Sequence, residues 1–239
     1  MAHRFIGGDR PAAAQRGLET SDPGLAQYVL RVYNYMAAGL VLTGVVAYVG
    51  AASGLYASIA ATPLFWIVLL APLALVFLLS LRIERISLGA ARICFWSYAA
   101  LVGLSLSGIF LVYTGDSIAR VFLISAATFG ATSLYGYTTR ADLSRFGSFL
   151  FMGLAGIVIA SLVNLFLAST ALQFVVSVIG VLVFTGLTAY DTQRIRNLYI
   201  AGEDDVVAGK KAVIGALALY LDFLSIFLML LRLLGDRRR

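Results

Sequence analysis

Seven stretches of about twenty apolar residues, joined by short polar segments, set what this chain can fold into. They lie at 33–53, 62–81, 90–113, 119–138, 146–168, 172–190 and 212–234. As a helix, a stretch of about twenty residues rises ~30 Å, the thickness of a bilayer's hydrocarbon core. Composition agrees: 61% of residues are hydrophobic and 13% charged, whereas soluble domains carry roughly a quarter charged. The alternating ten-residue segments of an outer-membrane barrel are absent. The expected fold is therefore all-α, a polytopic seven-transmembrane-helix bundle. Short joints make successive helices antiparallel neighbours in one domain. Two parts are expected: a polar cytoplasmic N-terminal tail over 1–32 and the transmembrane domain over 33–239. The tail has no early apolar core, so no cleavable signal peptide is expected.

Basic residues collect on alternate joints. The tail holds four, the second joint and its flank three, the fourth two and the sixth four, while the third holds Arg120 alone. The positive-inside rule then places the N-terminus in the cytoplasm. One conflict remains: seven crossings put Arg237–Arg239 outside, unless the last stretch dips in and returns. The net charge of +6 is explained by topology and lipid headgroups, so no nucleic-acid partner is expected.

Cys94 is the single cysteine and His3 the single histidine, which leaves no disulfide and no His/Cys metal set. Small residues such as Ala126 with Gly130, and Gly153 with Gly156, read as places where helices approach closely. Trp66 and Trp96 read as interfacial anchors, and Asn164 as a bridge between helices in preference to a residue that lines a path.

The chemistry centres on Asp222, near the middle of the seventh stretch, eleven residues after Lys211 and ten before Arg232. A carboxylate there costs at least ~2.5–3.5 kcal/mol, so it reads as facing a water-filled path or as a helix lock. Asp191 is its natural partner. If the sixth helix continues towards Tyr199, Asp191 lies ~12 Å deep and Asp222 ~16 Å deep on antiparallel helices. Two carboxylates in contact share a proton and titrate as a pair, and deprotonated they offer oxygen to Ca²⁺. Arg82 and Arg85 close the second helix on the same side. Either could reach inward to pair with Asp191, or both are topology residues that snorkel to the headgroups.

Thr188-Ala-Tyr-Asp-Thr-Gln-Arg-Ile-Arg and Ala216-Leu-Ala-Leu-Tyr-Leu-Asp-Phe-Leu-Ser-Ile-Phe-Leu resemble the last two membrane segments of the Bax inhibitor-1 (transmembrane Bax inhibitor motif) family, as in its bacterial YccA-like members. Arg232-Leu-Leu-Gly, Gly103-Leu-Ser-Leu-Ser, Phe129-Gly and Tyr135-Gly-Tyr-Thr-Thr-Arg-Ala-Asp-Leu fit the same pattern, from Tyr33 onward. The resemblance implies a bundle with its seventh helix central, acting as a pH-sensitive calcium leak in the bacterial inner membrane. It implies that Asp191 and Asp222 sense pH and line the ion path. It also implies a gating arginine at the end of the second helix, Arg85 in preference to Arg82. The implied partners are the lipid bilayer, calcium ions and membrane proteases, with no cofactor.

An enzyme is the rival reading. Presenilin-type intramembrane aspartyl proteases also place one Asp on each of two adjacent helices. Here, however, Leu219-Tyr220-Leu221 stands where that family has Gly-x-Gly, and no proline follows Pro72. A retinal lysine, a membrane histidine and a His-Glu-x-x-His motif are all missing. A scaffold that binds membrane proteases, with the Asp pair as a helix lock, is the further alternative.

Overall fold

The computed structural model describes residues 22–83 and 85–238. The expectations for residues 1–21 of the tail, His3 among them, lie outside the described residues. Among these residues there are eight helices: α1 (Pro23–Ala52), α2 (Leu55–Ala60), α3 (Leu64–Arg82), α4 (Leu88–Val112), α5 (Gly115–Thr138), α6 (Ser144–Leu167), α7 (Thr170–Asn197) and α8 (Asp205–Leu234). Six of them, all but α2 and α3, are long and apolar enough to cross a membrane. The chain is a polytopic all-α membrane protein. The apolar part of α3 is shorter, Leu64–Leu79.

Local chemistry sets the boundaries. Asp22, Ser87, Thr114, Ser169 and Asp204 each accept a bond from a backbone N–H in the first turn that follows, at the starts of α1, α4, α5, α7 and α8. Pro23 occupies the first turn of α1, where its missing N–H costs nothing. With that cap, α1 begins ten residues before the first apolar stretch, so Pro23–Val32 is helical. At the far end of the chain, α7 continues past the sixth apolar stretch to Asn197, as the depth argument for Asp191 requires.

Side-chain neighbours give the helix directions. Gly39 lies against Phe95, Gly103 against Thr43 and Gly50 against Ser107, so α1 and α4 run parallel. The chain must therefore return between them. The returning segment is α3, antiparallel to α4 where Ser105 Oγ donates to the Val68 carbonyl at 3.0 Å.

The core is built around α8. Two-thirds (67%) of its most apolar window is buried inside the bundle, against 28% or less for every other long helix. It packs on α7, α1, α5 and α4. Lipid-facing side chains such as Phe149 and Phe166 of α6 stay exposed, as expected where lipid is as apolar as the protein core. The final residues fold back at the far end of α8. Tyr113 and Arg237 form an antiparallel bridge, and Asp236 pairs with Arg120 at 2.7 Å. The C-terminal segment thus sits on the α4–α5 connection.

Two local expectations are corrected. Gly130 and Gly156 have open space where a Cβ would stand, so they are not close-approach points. Close approach falls at Gly136, where a Cβ would come 2.8 Å from Ala189 Cα of α7, and at Gly103, 2.6 Å from the Thr43 carbonyl. Asn164 bridges no helices; its Oδ1 accepts the Ser169 N–H at 3.0 Å, within the α6–α7 turn.

Candidate functional site

The site lies between α7 and α8, which run antiparallel. Gly215 of α8 rests against Ile195 of α7, and Gly180 of α7 against Met229 of α8. Gly215, Asp222 and Met229 are seven residues apart, so they share one stripe of α8, and its two outer members both touch α7. Asp191 lies between Gly180 and Ile195, eleven residues from one and four from the other, on the matching stripe of α7. The two carboxylates are therefore carried on facing stripes. From the Ile195–Gly215 level, Asp191 lies four residues along its helix (195 to 191) and Asp222 seven (215 to 222) in the same direction. These steps are ~6 Å and ~10 Å, so the pair is level to within one helical turn.

Burial separates the two groups. Asp222 is 4% exposed and its Oδ2 has no hydrogen-bond partner. Asp191 is half-buried. The charged neighbour that acts on Asp222 is Asp191, and the one that acts on Asp191 is Arg194, three residues further along α7. A carboxylate oxygen in such a place needs a proton or a cation to replace the water it has lost.

A chain of hydroxyls meets α7 at the residue next to Asp191. Ser133 Oγ of α5 bonds Thr192 Oγ1, next to Asp191, at 3.0 Å, and the Tyr33 hydroxyl of α1 bonds the same Ser133 oxygen. Gln193 ties α7 to the α5–α6 connection: its Oε1 accepts the Leu143 N–H at 2.9 Å and its Nε2 donates to the Ala141 carbonyl at 2.8 Å.

Arg82 and Arg85 are not brought to the pair. Both are exposed, and the ion pairs found among the described residues are Arg120–Asp236 and Lys211–Glu203. The reason is packing: α3 lies on α4 and α2, away from α7 and α8. The sequence reading missed Arg194, although its i+3 spacing from Asp191 was a usable signal. It also missed the Tyr33–Ser133–Thr192 chain, which draws on three separate helices.

A family model described as "Inhibitor of apoptosis-promoting Bax1" matches residues 25–239. The chain belongs to the Bax inhibitor-1 family. Among Bax inhibitor-1 relatives, the inner membrane protein YbhL of Escherichia coli is 50% identical over 219 residues, 90% of this chain and 94% of its own length. The uncharacterized protein RP147 of Rickettsia prowazekii is 48% identical over 221 residues, 92% of this chain and 94% of its own. An uncharacterized membrane protein of Streptococcus pyogenes is 38% identical over 219 residues, 90% and 95% respectively. The match spans both Asp-bearing helices, so the Asp191–Asp222 pair belongs to the Bax inhibitor-1 part of the chain.

Proposed function

We propose that this chain is a calcium leak of the bacterial inner membrane, gated by the Asp191–Asp222 pair and responsive to pH. One observation carries the reading: a buried carboxyl with an unpartnered oxygen on the central helix, faced by a second carboxyl from α7. Such a pair exchanges protons for a divalent cation without any other ligand leaving.

The pair suits passage better than storage. Calcium takes six to eight oxygens at rest, and among the described residues no group of three His, Cys, Asp or Glu side chains is assembled. Two carboxylates with nearby hydroxyls hold such an ion briefly. Protonation removes the charge that attracts it. Deprotonation leaves negative charge on facing helices, which loosens α7 from α8 and shifts the population towards an open bundle.

The chain crosses the bilayer seven times in this reading, with α3 making the short return pass between parallel α1 and α4. The end that gathers Arg140, Arg145, Arg194, Lys210 and Lys211 is cytoplasmic by the positive-inside rule, and the start of α1 lies there. Arg194 is the basic residue placed to accompany Asp191. A closing pair from Arg85 or Arg82 requires α3 to move onto α7.

The test is calcium flux into proteoliposomes across a pH series, with wild type beside Asp191→Asn and Asp222→Asn. Flux that varies with pH in wild type, and loses that variation in both variants, supports the gated leak. No flux above protein-free vesicles at any pH ends it, and favours a scaffold for membrane proteases.

A further inference from the structure

We infer that the outer groove between α1 and α4, lined by Gln27, Arg31, Asn34, Tyr35 and Trp96, binds the phosphate of an anionic phospholipid. This groove has a volume of about 430 Å³ and opens on the outer face of α1, near its start, with neither Asp191 nor Asp222 in its lining.

Three observations carry it. First, Arg31 is half-buried in the groove, yet among the described residues its guanidinium has neither an ion pair nor a hydrogen bond, and no acidic side chain lines the groove. A partly desolvated guanidinium is a bidentate binder of phosphate and is held poorly by apolar surroundings alone. Gln27 and Asn34, one turn to either side on the same face, are exposed and supply neutral donors.

Second, another cation stands beside the groove, against one of its lining rings. Arg92 of α4 lies 6.0 Å from the centroid of the Tyr35 ring, and Tyr35 and Trp96 sit 6.1 Å apart. Aromatic rings of this amphipathic kind settle at headgroup level.

Third, the outward stripe of α1 changes character at the depth a lipid would dictate. At heptad spacing it runs Gln27, Arg31, Asn34 and then Ala38, Val41, Val45. Val41 and Val45 are 66% and 55% exposed. A polar head above and an apolar track below, on one continuous face, match a phospholipid and not a free ion. Basic pockets between helices on the cytoplasmic side are suited to anionic headgroups.

The experiment uses the full chain reconstituted in phosphatidylcholine, with spin-labelled phosphatidylglycerol or spin-labelled phosphatidylcholine as probes of motionally restricted lipid. Wild type is expected to prefer phosphatidylglycerol. Arg31→Gln is expected to lower that preference about fivefold, the loss of one basic contact at a membrane surface. Asn34→Leu lowers it less, while Arg31→Lys and a distant same-end control, Arg145→Gln, largely keep it. Equal preference in wild type, Arg31→Gln and Asn34→Leu overturns the site. So does an equal loss in Arg145→Gln, which would mean diffuse surface charge. Displacement of the restricted phosphatidylglycerol by added inorganic phosphate would overturn the lipid assignment in favour of a free-anion site.

Discussion

Tyr220 of α8 and Thr43 of α1 meet hydroxyl to hydroxyl at 2.6 Å in the buried centre of the bundle. Thr43 Oγ1 already donates its one proton to the Ala99 carbonyl of α4 at 2.9 Å, so Tyr220 must be the donor between them. One hydroxyl chain thus pins the central helix to the parallel pair α1 and α4. Phe95 and Tyr98 pack edge-on against the Tyr220 ring, with centroids 6.1 and 5.6 Å away. Tyr220→Phe keeps that packing and removes one hydrogen bond. Interhelical bonds in membranes average about 0.6 kcal/mol, so unfolding in mixed micelles should show a loss of about that size. Thr43→Val strips the Ala99 carbonyl and Tyr220 of their partner and should cost more, about 1–3 kcal/mol.

Asp222 tests function against architecture. If its buried oxygen is kept for ion passage, it weakens the bundle, because an unsatisfied buried polar group costs about 1–3 kcal/mol. Asp222→Leu should then raise thermal stability in detergent while abolishing pH-dependent flux. A fall in stability would make Asp222 a structural lock instead.

Gly136 sets the spacing between α5 and α7. A methyl group there would press on the Ala189 backbone, and backbone cannot swing aside as a side chain can. Gly136→Ala should destabilise the fold by about 1–3 kcal/mol, the usual cost of overpacking. Gly44→Ala meets nothing within 4 Å. It should be neutral or stabilising by up to about 1 kcal/mol, through helix propensity alone. Chemical unfolding of the two variants side by side reads the contrast.

Gln193 holds the α5–α6 connection with both ends of its amide. Gln193→Leu should leave the Leu143 N–H and Ala141 carbonyl without these partners and speed hydrogen exchange at Leu143, by about tenfold for each 1.4 kcal/mol lost. Exchange in α8 should be unchanged.

The C-terminal clasp should depend on backbone and not on charge. Arg120 and Asp236 are 58% and 68% exposed in their side chains, where an ion pair contributes at most about 1 kcal/mol. The Asp236 N–H to Ser117 Oγ bond at 2.8 Å and the Thr114–Asp236 and Arg238–Val112 main-chain bonds do not depend on that charge. Asp236→Asn should therefore leave stability within about 0.5 kcal/mol, whereas removal of residues 236–239 should expose the α4–α5 connection to proteolysis.

The sequence by itself determined the membrane class, the approximate positions of the apolar helices and the placing of Asp191 and Asp222 on two successive ones. Each follows from segment length, rise per residue and the cost of charge in hydrocarbon, which are local quantities. It did not determine which helix face looks inward. In a bilayer the outside of a bundle is as apolar as its core, so hydropathy carries little facing signal, as exposed Phe149 and buried Phe223 show. Only the tertiary structure decided that α1 packs directly on α4, that Arg194 lies near Asp191, and that Arg237 and Arg238 sit on the α4–α5 connection. Those choices depend on contacts between residues far apart in the chain, where small side chains such as Gly136 and Gly103 let backbones meet.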